Sequence, residues 1–257
     1  MNINEGLKVL VLGASGGIGN KLTKVLLTQG YEVFGTYYKH PKCLKNLEVN
    51  SKFFKYKVDL KNISSIKRLK ENILKKTKDL FAIINCTGIV RFEGSSIEED
   101  FRTWGETIAV NLSGNYYLAK LFFPVLQKNG RFIMISSTDA FFGGPITSSY
   151  AVSKAGINSL VKSFCLWMKE KKIRVNALAP GWVETPMTLV NGRDYLNKVA
   201  AINPLERNAQ PEDVALIIKF LLSTDSDYLN GQTISVEGGY TNQDTTLLLE
   251  EEVQEKK

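Results

Sequence analysis

Residues 7–12 read LKVLVL, residues 13–19 follow as GASGGIG, and residues 20–30 continue as NKLTKVLLTQG. The first stretch is apolar on both faces, as a strand buried in a parallel sheet must be, and the last fits a helix over 17–29. Between them Gly13, Gly16, Gly17 and Gly19 allow a tight turn, a close backbone approach and a helix N-terminus aimed at an anion. Ala14, Ser15 and Ile18 fill the remaining positions of that turn. Directly after a strand and directly before a helix, such a turn fits the pyrophosphate of a dinucleotide.

The same alternation runs on from there. Strands are expected near 7–12, 31–36, 52–57, 80–84, 131–136, 173–178 and 233–236, with helices near 17–29, 64–77, 103–128, 149–170 and 211–222. FAIIN, residues 81–85, is again apolar on both faces, so helices must cover both sides of the sheet. The expected fold class is α/β: a single Rossmann-type, doubly wound, three-layer domain with a seven-stranded parallel sheet. Residues 1–243 form this dinucleotide-binding and catalytic domain, and residues 244–257 are an appended acidic tail.

Composition narrows the function classes. The chain has 257 residues, 44% of them hydrophobic, which is enough to bury one large core. The formal charge of +7 is uneven, because the tail carries five acids against two bases and leaves the body at +10. The lysines are scattered, as in IKRLKENILKKTK over 66–78, where Ile66, Leu69, Ile73 and Leu74 keep helical spacing and the bases occupy the other faces. Nucleic acid is therefore not an expected partner. Cys43, Cys86 and Cys165 form no CxxC pair, so neither a disulfide framework nor a metal site is expected, and the compartment is expected to be reducing. The N-terminal apolar run is too short for a membrane span and lacks a charged leader, so the expected location is cytoplasmic.

Further residues extend the pattern: Asn85-Cys-Thr87-Gly88, Asn111, Ser137, Tyr150-Ala-Val-Ser-Lys154, Pro180-Gly181 and Gly238-Gly239. With the GxxxGxG turn, this ordered set over about 6–240 resembles the short-chain dehydrogenase/reductase family. In length and in the segment after Thr185 it is most similar to the 3-oxoacyl-carrier-protein reductases. The resemblance implies an oxidoreductase that moves a hydride between a nicotinamide cofactor and a ketone or secondary alcohol. It places Asp59, with Leu60, at the adenine and Asn85 to Gly88 along the adenosine ribose. Where relatives that use NAD carry an acid after the second strand, this chain has Tyr37, Tyr38, Lys39 and His40. A carboxylate would repel a 2′-phosphate and Lys39 could pair with one, which favours NADP(H) and leaves NAD(H) as the alternative. The departure is Gly16, where many relatives that use NADP carry a base.

Tyr150 and Lys154 stand four apart on the helix over 149–170, on one face, with Cβ atoms about 5–6 Å apart. A cation there is expected to lower the phenol's pKa. The resemblance makes Tyr150 the proton donor, has Ser137 polarise the carbonyl, has Lys154 anchor the nicotinamide ribose, and has Asn111 support a water relay to Lys154. It also places Pro180, Gly181, Val183 and Thr185 at the carboxamide, Thr185 doubling as a helix N-cap ahead of Pro186. The helices over 103–128 and 149–170 carry more apolar residues than one sheet contact uses, which with the resemblance points to a homotetramer. A short apolar lid between Thr185 and Pro211 suits a slender substrate. Lys128, Lys171 and Lys172 are expected near the active-site mouth as a dock for an acidic acyl carrier protein. The other readings are reduction of a sugar, a cyclic alcohol or a biosynthetic ketone, or a dinucleotide-binding regulator without catalysis.

Overall fold

Each apolar strand sends alternate side chains to opposite faces, and two separate cores result. In the computed structural model, which describes residues 4–242, β1 (Lys8–Leu12) puts Leu10 and Leu12 into one core and Val9 and Val11 into the other. Seven strands follow the order β3-β2-β1-β4-β5-β6-β7, all parallel. Besides β1 they are β2 (Glu32–Tyr37), β3 (Phe53–Lys57), β4 (Leu80–Asn85), β5 (Leu126–Ile135), β6 (Arg174–Pro180) and β7 (Thr233–Val236). Helices α1 (Gly17–Thr28) and α8 (Pro211–Leu222) pack against each other over one face. The other face is covered by α2 (Ile63–Leu74), α4 (Gly114–Phe122) and α5 (Ser148–Trp167). The strand order reverses between β1 and β4, and the crevice beyond their C-terminal ends is where such sheets bind ligands.

The long helix expected over 103–128 is not continuous. It begins earlier, as α3 (Ile97–Ile108), because Ser96 accepts from the Glu99 N–H at 3.2 Å and Glu98, Glu99 and Asp100 suit the positive helix end. A π-helical segment, Ala109–Ser113, then separates α3 from α4. The helical run stops before 128 because Pro124 lacks an N–H to donate, and β5 starts at Leu126, five residues ahead of expectation. Helix α5 likewise ends at Trp167, a 3₁₀ turn over Lys169–Lys171 follows, and Lys172 is left-handed at φ 53°.

The segment after Thr185 contains α6 (Pro186–Leu189) and α7 (Arg193–Ala201). Met187, Leu189, Val190 and Tyr195 are exposed along it, while Leu196 is buried and its carbonyl accepts from Asn208 Nδ2 at 2.8 Å. Much of the surplus apolar surface on α4 and α5 is used inside the chain. Trp167 packs on Phe123 and Phe164, with Lys120 Nζ 3.6 Å above its ring. Tyr116, Val152 and Leu166 remain exposed there, with Phe101 and Trp104 on α3. Among the described residues no helix is long and apolar enough to cross a membrane. The acidic stretch 244–257 lies outside the described residues.

Candidate active site

Backbone contact, more than any side chain, shapes the glycine turn. Gly13 has φ 74° and its N–H donates to Thr36 Oγ1 at 3.1 Å. A Cβ on Gly19 would stand 2.2 Å from the Gly13 carbonyl oxygen, so no side chain fits there. A Cβ on Gly17 would meet the Thr185 methyl at 2.7 Å, which shows how closely the loop after β6 folds over the turn. Helix α1 starts from Gly16 with no side-chain cap and no acid in its first turn, leaving its first amides for an anion. A cavity of about 440 Å³ opens beside this turn, lined by Ser15, Gly16, Gly17, Asn20, Lys21 and Pro186 among others. This arrangement fits a dinucleotide phosphate.

The residues expected along the adenosine stand at or just after the C-terminal ends of β2, β3 and β4. Tyr37 ends β2 half-buried, and Lys39 is exposed with its Nζ 5.7 Å from the Tyr38 ring. Asp59 Oδ1 accepts from the Lys61 N–H at 2.9 Å, and buried Leu60 lies under Gly114, where a Cβ would come within 3.1 Å. After β4, Asn85 Oδ1 accepts from the Thr87 N–H at 3.0 Å and its Nδ2 donates to Asn115 Oδ1 at 2.9 Å. Thr87 borders Gly13, whose Cβ would reach its Oγ1 at 3.0 Å.

Ser137, Tyr150 and Lys154 meet at the C-terminal ends of β4 and β5. Lys154 is buried, its Nζ donates to the Ile135 carbonyl at 2.8 Å, and it lies 5.3 Å from the Tyr150 ring centroid. A Cβ on Gly88 would sit 3.3 Å from that Nζ, so the glycine lets the loop after β4 close on the ammonium. Burial lowers the Lys154 pKa to about 8, with Asp139 and Cys86 pulling the other way. Tyr150 moves opposite to expectation. Burial first pushes its phenol up to about 12, the Ser137 hydroxyl eases it, and the Asp139 charge adds to the rise. The neighbouring ammonium is itself buried and directed at the Ile135 carbonyl.

Asn111 sits in the π-helical segment, the irregularity common at functional sites. Its Oδ1 accepts from the Ile89 N–H and its Nδ2 donates to the Ile89 carbonyl, both at 2.9 Å. Nδ2 also reaches Ser153 Oγ at 3.1 Å, and that hydroxyl donates to the Tyr150 carbonyl at 2.7 Å. The side chain thus ties the loop after β4 to α5, and the Asn111 carbonyl accepts from Asn115 Nδ2 at 2.6 Å.

The loop after β6 begins at buried Pro180; the Gly181 N–H donates to the Val236 carbonyl at 3.1 Å, and a Cβ there would meet Glu237 at 2.9 Å. Val183 is buried and its carbonyl accepts from Thr188 Oγ1 at 2.6 Å. Thr185 is the N-cap of α6, its N–H donating to Thr188 Oγ1 at 3.0 Å.

Lys128, Lys171 and Lys172 do not lie at this mouth. They stand where β5 and β6 begin, and even Arg131 lies six positions before Ser137 along the extended chain, about 20 Å. Lys171 Nζ is moreover engaged by the carbonyls of Phe123, Pro124 and Leu126 at 3.0, 2.8 and 2.7 Å, the frayed end of α4. Reading along the sequence also missed Asp139, two residues after Ser137, whose N–H donates to Ser137 Oγ at 3.1 Å. Burial raises its carboxyl pKa, while Ser137 and Lys154 counter the rise. An acid that close to a candidate catalytic serine was a signal available in the sequence. Among the described residues no cluster of His, Cys, Asp and Glu could hold a metal, and the three cysteines are unpaired.

Residues 13–241 match a family model described as enoyl-(acyl carrier protein) reductase. The 3-oxoacyl-[acyl-carrier-protein] reductase FabG of Thermotoga maritima is 32% identical, over 91% of this chain and 98% of its own. An acetoacetyl-CoA reductase from an Acinetobacter species is 28% identical over 92% and 98%. Among solved structures, ligand-free aldohexose dehydrogenase of Thermoplasma acidophilum superposes with a TM-score of 0.83 at 25% identity, covering 93% of this chain and 96% of that one. ElxO with NADP bound gives 0.82 at 26%, covering 92% and 99%. By the family model over most of its length and a relative 32% identical along nearly all of it, the chain belongs to the short-chain dehydrogenase/reductase family.

Proposed function

We propose that this protein is an NADP(H)-dependent oxidoreductase that interconverts a ketone and a secondary alcohol, with Tyr150 as the proton donor. The observation that carries the reading is the meeting of Ser137, Tyr150 and buried Lys154 beside a glycine turn built for a dinucleotide phosphate. When bound, the nicotinamide supplies the hydride to the carbonyl carbon. Ser137 donates a hydrogen bond to the carbonyl oxygen and Tyr150 gives that oxygen its proton as it becomes an alcohol. Lys154 holds the ribose and keeps positive charge next to the developing alkoxide. Pro180, Gly181, Val183 and Thr185 form the rim against which the carboxamide is held. Asn111 fixes the loop after β4, and a water relay to Lys154 would use the second lone pair of its carbonyl, the first being taken by Asn115 Nδ2.

NADP(H) is favoured over NAD(H) because no carboxylate ends β2 and exposed Lys39 stands there, and because ElxO was solved with NADP. Titrating both cofactors, with Lys39→Ala alongside, tests this; equal affinity for NADP(H) and NAD(H) refutes the preference. The substrate proposed is a 3-oxoacyl thioester, as in the names of the Thermotoga and Acinetobacter relatives. Support comes from the exposed apolar rim of Met187, Leu189 and Tyr195, which suits a slender acyl chain. A carrier protein could not reach this chain's own mouth through Lys128 and Lys172, which lie at the opposite, N-terminal ends of the strands. NADPH oxidation faster with a 3-oxoacyl thioester than with sugars or cyclic ketones is the expected result. Equal rates across such a panel defeat the substrate assignment.

A homotetramer is proposed from the exposed Phe101, Trp104, Tyr116, Val152 and Leu166 on α3, α4 and α5, with light scattering as its measurement. A cytoplasmic location fits the three unpaired cysteines.

A further inference from the structure

Helix α5 carries Tyr150 in its first turn, yet it does not cap that turn itself. Thr147 at the N-cap makes no side-chain hydrogen bond, and no acid lies in the first turn. The acceptor comes from far upstream. Glu93, in the loop after β4, accepts from the Ser149 N–H at 2.8 Å through Oε1 and from the Ser148 hydroxyl through Oε2. Its own N–H donates to the Ile146 carbonyl at 2.8 Å, so backbone and side chain grip the entry to α5 together. Burial pushes the Glu93 carboxyl up, but the hydrogen bonds from Ser148 and Ser149 outweigh it and hold the group below the usual glutamate value. A carboxylate at this helix end also opposes the positive dipole.

The loop that bears Glu93 is fastened at two further points. Asn111 clasps Ile89 on both its N–H and its carbonyl, and Asp100 accepts from the Gly94 N–H at 2.7 Å. From the π-helical segment to α5 the loop is therefore a strap with fixed ends. We propose that Glu93 is a positioning residue for Tyr150: by capping Ser148 and Ser149 it sets where the phenol stands relative to Ser137 and the crevice. Ser149 is fully buried and adjoins Tyr150, so slack in its N–H bond is passed along one peptide unit to the phenol's backbone. The kinetic part of the test rests on the redox reading above, whereas the spectroscopic part does not.

Protein labelled with carbon-13 at the tyrosine Cζ is compared for wild type, Glu93→Ala and Glu93→Gln, the Tyr150 signal being assigned by its loss in Tyr150→Phe. Glu93→Ala is expected to move that signal and to lower kcat on the order of 10- to 100-fold. KM for the ketone and Kd for NADPH should stay within about twofold. Glu93→Gln, whose amide oxygen still accepts from Ser149, is expected to keep both the signal and the rate. The proposal is overturned if Glu93→Ala leaves the Tyr150 signal in place, even with a lower Tm, or if Glu93→Gln is as impaired as alanine. If the wild type reduces no ketone, the redox reading fails while the signal still decides the role of Glu93.

Discussion

Replacing Tyr150 with phenylalanine removes one hydroxyl from a site that holds it at an energetic cost. With the phenol pushed up to about 12, roughly one molecule in 10⁵ is ionised at pH 7, so the resting group is a proton donor suited to ketone reduction. The hydroxyl's hydrogen-bonding neighbour is the Ser137 side chain. Tyr150→Phe should therefore change folding stability by no more than about 1 kcal/mol. Loss of a positioned general acid costs on the order of 10²- to 10⁴-fold in turnover, about 3–5 kcal/mol in the barrier. The assay follows NADPH absorbance at saturating ketone, with NADPH affinity measured separately by its fluorescence. Affinity should hold within about twofold, because the phosphate turn is untouched. A Tyr150→Phe enzyme that reduces the true substrate at the wild-type rate refutes the mechanism. So does a loss of turnover matched by an equal loss of cofactor affinity, which would make Tyr150 a binding residue.

Other perturbations test the same site by different means. Burial lowers the Lys154 pKa to about 8 from an ordinary 10.5, so the unfolded chain holds more protons in that window and stability should rise as pH climbs from about 8 to 10.5. Lys154→Met should flatten this rise by about 3 kcal/mol and abolish turnover, read by urea melts at several pH values; an unchanged slope sinks the assignment. The Asp139 charge raises both the Tyr150 and Lys154 pKa values, so Asp139→Asn should move the pH–rate profile towards acid, and a profile that stays put would show that the carboxyl does not act on them. Gly19→Ala should abolish nucleotide binding, since its Cβ has only 2.2 Å to the Gly13 carbonyl oxygen; calorimetry that finds wild-type NADPH affinity would contradict the turn geometry.

What the sequence determined by itself is what local spacing can encode. The glycine turn, the apolar strands and the i, i+4 placement of Tyr150 and Lys154 depend on residues a few positions apart, so the α/β class, the seven strands and a tight glycine turn at the head of α1 were all readable. The Ser96-Ile-Glu-Glu99 cap and Pro124 were equally local signals, and they place the limits of α3 and α4 that hydrophobic pattern alone misplaced. Tertiary structure decided quantities that sum over distant neighbours. Desolvation by the whole surrounding chain reversed the expected direction of the Tyr150 pKa. Strand direction put Lys128 and Lys172 at the strand ends away from the site, and three carbonyls from another segment took up Lys171. The cap that Glu93 lends to α5 spans more than fifty residues, a distance over which no periodicity in the sequence carries information.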